Sequence, residues 1–306
     1  MKELVIVGAG PAGLSSAIYG IRAGLDLTVI ERLSPGGQVM NTYEVENYPG
    51  FVEPIAGWEL VSHFENQTRR LGAEIITGDV VSVRKDSASG LFSVQLSDGS
   101  PLEAKSVIAA SGASYRRLKI PGEEEFIGKG VSFCGTCDGP FYKDKICAVI
   151  GAGNAALEEV DFLARFVKKV YLIHRRSQLR GEKILQDRIF ANRKIEPVFD
   201  TVVESISGNA AVDRLNLKNL KTGKSFTMGV EGVFIFIGFD CNVSFLPEQV
   251  INDNREVIVD INMRTPLPGL FAAGDLRSGS KRQIVMAAAD GATAAMEAYE
   301  YVFGLT

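Results

Sequence analysis

The chain is patterned as short apolar runs, several of them meeting glycine and followed by stretches with helical spacing. The first run, LVIV at residues 4–7, meets Gly8, Gly10 and Gly13 and then the helix-like stretch LSSAIYGIRAG. A second run, LTVI, ends in Glu31. Strand, glycine turn, helix, strand and acid in that order predict a βαβ unit. The same order returns in ICAVIGAGNAA (146–156), followed by the helix-like LEEVDFLARF and the strand-like VYLI. Gly151, Gly153 and Ala156 stand 143 residues beyond Gly8, Gly10 and Gly13. Two such units in one register predict an α/β chain with two Rossmann-like domains. The apolar run from Gly232 to Phe239 reads as a buried strand. GLFAAGD (269–275) reads as another, ending in Gly274 and Asp275. Arg282 and Gln283 then open a long Ala-rich helix.

Length agrees with this division, since 306 residues is about two domains' worth. The net charge is −4 and no basic block stands out, which disfavours a nucleic-acid partner. No apolar run approaches the ~18 residues of a membrane span. The N-terminus enters a strand almost at once and does not suit a signal peptide. The expectation is a cytoplasmic protein without a membrane segment. Four cysteines (Cys134, Cys137, Cys147 and Cys241) are too few for a disulfide scaffold.

The two glycine turns share a geometry but differ in charge. In the first, Gly8 permits the tight turn, Gly10 lets backbone approach a pyrophosphate and Gly13 allows close helix–strand packing. Pro11 and Ala12 complete that turn, and the helix start offers free N–H groups to phosphates. Glu31, 18 residues after Gly13, can accept hydrogen bonds from a ribose diol. In the second unit Asn154 and Ala155 complete the turn, and the position equivalent to Glu31 is His174, followed by Arg175, Arg176 and Arg180. An acid repels a 2′-phosphate, whereas arginines bind one through charge-assisted hydrogen bonds. The first unit therefore expects a free ribose, as in FAD or NAD, and the second expects NADPH. Asp275 at its strand end can hold the hydroxyls of a flavin's ribityl chain.

Between the two units lies Cys134-Gly135-Thr136-Cys137-Asp138. A CxxC pair is half of a zinc site, a redox pair or a coincidence. Zinc needs four ligands, and no second ligand pair stands at the expected spacing, so no metal is expected. Between two nucleotide sites a redox pair is favoured, with electrons passing from NADPH through FAD to a Cys134–Cys137 disulfide and on to an external disulfide. Thiol exchange needs a proton carrier. No histidine is adjacent, and Asp138 is the nearest acid. It can instead cap the following turn, DGPF, or do both. Cys147 and Cys241 read as small buried or loop residues.

With these parts assembled, the whole chain resembles the low-molecular-weight thioredoxin reductases. The likeness rests on VGAGPAGLSSA, GGQVMNTYEVENYPGF (36–51), CGTCDGPFYKDK, HRRSQLRGEKIL, FIFIGF and GLFAAGDLRSGSKRQIVMAAADG. The resemblance implies a discontinuous FAD domain (1–112 and 243–306) with an NADPH domain (113–242) inserted, a homodimer, and a large rotation between domains. It implies that Cys137 lies nearer the flavin, that Cys134 attacks the substrate, oxidised thioredoxin or a thioredoxin-like protein, and that Asp138 is the acid/base. Gln38, Asn47, Val80, Gly112, Gly274, Asp275, Arg282 and Gln283 fall at flavin-binding positions. Some residues depart from the family pattern. Its second glycine motif commonly reads GGGDSA or GGGNSA where this chain has GAGNAA, its redox motif usually reads CATC where this chain has Gly135, and many members have His where this chain has Phe239. Relatives that use reduced ferredoxin or pass electrons to oxygen typically lack the HRRxxxR cluster present here. A ferredoxin–NADP reductase of this type would lack the CxxC. A non-catalytic flavin-binding protein is the remaining alternative, and a catalytic pair between two complete nucleotide sites argues against it.

Overall fold

The computed structural model describes residues 1–42 and 44–305; Tyr43 of the 36–51 motif and Thr306 lie outside them. The chain forms two units, residues 1–114 with 240–305, and residues 115–239. The first begins with β1 (Lys2–Val7), α1 (Pro11–Arg22), β2 (Leu27–Glu31), α2 (Gly57–Arg70), β3 (Glu74–Thr77), β4 (Val80–Lys85), β5 (Phe92–Leu96) and β6 (Pro101–Ala109). A short strand, β7 (Ala113–Tyr115), leads out of it.

The second unit carries β8 (Val131–Ser132), the single-turn α3 (Gly135–Asp138), β9 (Ile146–Gly151), α4 (Asn154–Leu163), β10 (Lys169–Ile173), α5 (Lys183–Ala191) and β11 (Ile195–Val198). An antiparallel sheet of β12 (Thr201–Gly208), β13 (Val212–Asn219) and β14 (Ser225–Gly229) follows, and β15 (Gly232–Phe236) returns to the main sheet. That sheet has the order β11-β10-β9-β15-β8 and its pairs are parallel. The chain leaves through β16 (Phe239–Cys241), which pairs with β7.

The first unit is completed by β17 (Leu270–Ala272) and α6 (Ile284–Phe303). Its sheet has the order β3-β2-β1-β6-β5-β4, with β17 parallel to β6. The β4–β5–β6 meander is antiparallel, and the remaining pairs are parallel.

The repeat seen in the sequence is a repeat of strand register. Leu4 pairs with Leu27 in β1–β2. Cys147 pairs with Val170 in β9–β10, and both partners are displaced by the same 143 residues. The two α/β units expected from the pattern are the fold the chain adopts.

Buried aliphatic side chains cover both faces of each main sheet. In the first unit Leu4, Ile6, Leu14 and Val29 face the Ala-rich side of α6, while Val5, Val7, Phe92 and Val107 line the other face. In the second, Val149, Leu157, Leu163 and Phe234 form one core and Ala148, Ile150, Val233 and Leu215 the other. Strands covered on both faces read as continuous apolar runs, which is why the short runs stood out in the sequence. Among the described residues no helix is long and apolar enough to cross a membrane.

Candidate active site

The first unit gathers its candidate residues at the carboxyl ends of β1, β2, β6 and β17. This is where ligands bind in open α/β sheets. Gly8 turns the chain out of β1 with φ +105°, and a Cβ on it would press into the Ala110 carbonyl. Gly13 abuts the Gly8 carbonyl so closely that a Cβ would overlap it. Gly10 is the N-cap of α1, Pro11 its first residue, and nothing lies within 4 Å of where a Cβ on Gly10 would point. The turn is therefore a cradle of backbone N–H groups open on one side, which fits a pyrophosphate.

Glu31 ends β2 and holds this cradle in place. One carboxylate oxygen accepts the Ala9 amide at 2.8 Å and the other accepts the Leu33 amide at 3.0 Å. The Gly36 amide donates to the Ala9 carbonyl at 2.8 Å, which lays the segment carrying Gln38 beside the turn. Gly274 approaches from β17, where a Cβ would stand 3.0 Å from Ala12 Cβ. Asp275 follows it, and burial holds its carboxyl above the usual range while Arg282 opposes the rise. Arg282 contacts Glu256 at 3.3 Å. Asn47 Nδ2 donates to Gln283 Oε1 at 3.2 Å, joining two residues 236 apart in sequence. Val80 opens β4 just after Gly78, whose amide donates to the Glu31 carbonyl, and Gly112 follows β6 and accepts the Asn242 amide.

The second unit presents the equivalent turn, with Gly151 ending β9, Gly153 as the N-cap of α4, and Asn154, Ala155 and Ala156 in its first turn. The Ala152 carbonyl accepts the amides of Arg180 (2.8 Å) and Gly181 (3.0 Å), so the loop after β10 is tied to the glycine turn. The Asn154 side chain fixes that loop further by accepting the Glu182 amide at 2.7 Å. Arg175, Arg176 and Arg180 are exposed, and among the described residues none pairs with a carboxylate. His174 is buried. Burial first, then the three arginines, lower its pKa, so the positive charge here belongs to the guanidinium groups.

Cys134 and Cys137 form a disulfide within the second unit, with Cα atoms 5.3 Å apart. Cys134 Sγ accepts the Cys137 amide at 3.2 Å and lies 3.4 Å from Thr136 Oγ1. Two donors at one sulfur favour a thiolate there once the bond is reduced. Cys147 and Cys241 are free thiols. Burial pushes Cys147 up to about 12 and Cys241 up to about 11, which keeps both protonated and unreactive.

Asp138 closes the redox turn, its amide donating to the Cys134 carbonyl at 3.1 Å. It stands at the N-cap of the next turn (Gly139–Tyr142), but its side chain makes no cap hydrogen bond. Instead Oδ2 accepts the Ser132 hydroxyl at 2.5 Å, and Ser132 Oγ in turn accepts the Cys134 amide at 3.1 Å. Burial raises the Asp138 carboxyl above its ordinary range, against the Ser132 hydrogen bond. The side chain is thus bonded to Ser132 and does not cap the next turn. Sequence reasoning passed over Ser132, a lone hydroxyl in the run VSFC. It also passed over Glu159, which lies three residues after the buried Ala156 and four before the buried Leu163, on the apolar face of α4. An acid at that spacing was the available signal.

The family model described as pyridine nucleotide-disulphide oxidoreductase matches residues 2–291. A thioredoxin reductase of Listeria monocytogenes is 41% identical over 302 residues, spanning 98% of this chain and 93% of its own. A thioredoxin reductase of Helicobacter pylori is 42% identical over 311 residues, spanning 99% of both. The crystal structure of thioredoxin reductase from Streptococcus pyogenes matches with a TM-score of 0.94 at 40% identity, covering 99% of each chain.

Proposed function

Because this chain belongs to the low-molecular-weight thioredoxin reductases of the pyridine nucleotide-disulphide oxidoreductase family, we propose that it is an NADPH-dependent reductase of oxidised thioredoxin. In this reading the discontinuous unit holds FAD and the inserted unit holds NADPH. The observation that carries it is the disulfide between Cys134 and Cys137, with two complete nucleotide turns in the same chain. The Gly8–Gly13 turn, Glu31, Gln38, Asn47, Val80, Gly112, Gly274, Asp275, Arg282 and Gln283 would bind FAD. Gly151, Gly153, Asn154, Ala155, Ala156, His174 and the three arginines would bind NADPH. Bound there, NADPH and FAD would together supply the two electrons that reduce the disulfide.

The chain's own residues do the rest. Reduction breaks the Cys134–Cys137 bond and leaves one thiol and one thiolate. The donors at Cys134 Sγ favour the thiolate on Cys134, which attacks the external disulfide and forms a mixed disulfide. Cys137 then attacks Cys134 Sγ, releasing the substrate as a dithiol and restoring the internal bond. Asp138, held above the usual carboxyl range, carries a proton between these sulfurs. The Ser132 hydroxyl holds Asp138 to the backbone of Cys134. In this reading the protein is a homodimer, as the family resemblance implies, and cytoplasmic, as the sequence leads one to expect.

Two experiments test it. Turnover should be seen with NADPH and a panel of thioredoxins, with NADH as a poor donor; no turnover with any thioredoxin, despite flavin reduction, would contradict the assigned acceptor. Asp138→Asn should slow electron exchange between dithiol and flavin by about a hundredfold, read as flavin absorbance in a stopped flow. A wild-type rate would remove Asp138 from the chemistry.

A further inference from the structure

Glu159 is a partly buried acid beside the redox pair that takes no part in the steps above. Its Oε2 is shut off from solvent and has no hydrogen-bond partner. A Cβ built on Gly135 would collide with that same oxygen. The carboxyl thus fills the space that a side chain between the two cysteines would take, and glycine at position 135 leaves it there. One turn later Gly139 makes a similar approach, where a Cβ would come within 2.9 Å of Leu163 Cδ2. Both glycines let the redox turn lie close upon α4.

Two groups lie beside the backbone amides of this turn. The Cys137 amide donates to Cys134 Sγ. The amides of Gly135 and Thr136 favour the ionised form of Glu159. In the disulfide the sulfur is neutral, so only one anion stands beside these amides. Once the S–S bond breaks, a thiolate joins the carboxylate there, and two neighbouring anions disfavour one another. The sulfur keeps its own amide, whereas Oε2 has no partner, so the carboxylate is the group that yields.

We propose that Glu159 is a positioning residue for the redox pair, taking up a proton when the Cys134–Cys137 disulfide is reduced and releasing it when the disulfide re-forms. The step balances: one disulfide and one carboxylate take up two electrons and two protons, the S–S bond breaks, and one thiol, one thiolate and one carboxylic acid result. This rests on the reading of Cys134 and Cys137 as a redox couple.

The surroundings poise Glu159 for such a change. Burial pushes its carboxyl up to about 7, the Gly135 and Thr136 amides oppose this, and Glu158 on the same helix adds to the rise. Asp138 lies on α3, Tyr142 on the turn after it, Cys147 on β9, and Asp161 further along α4. Glu182 precedes α5, where Asn154 holds it. On β10, Lys169 is paired with Glu196. Among the described residues no cation pairs with Glu159.

The test equilibrates the holoenzyme in dithiothreitol buffers of fixed dithiol-to-disulfide ratio, at about pH 6 and about pH 8.5. The reduced fraction of the pair is read by alkylation and mass spectrometry. Near pH 6 Glu159 is mostly protonated in both redox states, and Glu159→Gln should match the wild type. At about pH 8.5 the wild-type disulfide has an ionised neighbour that opposes reduction, and Glu159→Gln should be about tenfold more readily reduced. Gly135→Ala, which displaces the carboxyl without removing it, should shift the couple in the same pH-selective way. Identical profiles in all three proteins, or a shift of equal size at both pH values, would overturn the role of Glu159. A wild-type pair that no dithiothreitol buffer reduces would overturn the redox reading itself, so the two failures are distinct.

Discussion

Replacing Cys134 by Ser is expected to lower thioredoxin reduction by on the order of 10³-fold or more, while NADPH still bleaches the bound flavin at close to the wild-type rate. The reason lies in what surrounds the two sulfurs. Cys134 Sγ has the Cys137 amide at 3.2 Å and the Thr136 hydroxyl at 3.4 Å, so a thiolate would be stabilised on this sulfur. A serine hydroxyl is far too weakly acidic to take its place. No other thiol can substitute, because burial holds Cys147 and Cys241 at about 12 and about 11. Hydride transfer to the flavin needs neither cysteine. Stopped-flow absorbance and a thioredoxin-coupled assay on the same preparation separate the two half-reactions. Loss of both in a folded variant would contradict the roles assigned to the pair.

The double substitution Arg175→Ala with Arg176→Ala should cost NADPH about 2 kcal/mol relative to NADH, roughly a thirtyfold loss in the ratio of their kcat/KM values. Both side chains are exposed, and burial lowers the pKa of the adjacent His174, so the guanidinium groups carry the charge that would meet a 2′-phosphate. Exposed charges are screened by salt, and the wild-type preference should therefore shrink as ionic strength rises. An unchanged ratio in the variant would mean that the cluster is only a solvated strand end.

Much of this was legible because Rossmann-like units write their geometry locally. A strand, three small residues and a helix start lie within a dozen positions, and a second copy at a fixed offset names the register of the β9–β10 pair as well as that of β1–β2. The charge reversal from Glu31 to His174 and its arginines is likewise readable, since each follows directly on a strand. The redox pair is four consecutive residues and announces itself. What stayed hidden depends on packing between distant segments. Asn47 reaches Gln283 across 236 residues, and no spacing rule connects them. Ser132 and Asp138 meet only because the redox turn folds back over the end of β8. Asp138 could equally have capped the next turn, and only the fold shows that its side chain makes no cap. Gly135 stood out only as a departure from CATC, whereas in space it leaves room that Glu159 fills.

The way α6 packs also bears on how the chain is made. Ser15 on α1 donates to the carbonyl of Ala288 on α6, 273 residues away, and Ser16 donates to that of Gly291. The Ala-rich face of α6 is part of the core that covers β1. During synthesis the first strands emerge long before the helix that shields them, while residues 115–239 already form a complete unit. The middle of the chain should therefore fold before its beginning can. Until α6 emerges, the apolar face that it covers in the folded chain is open to other chains.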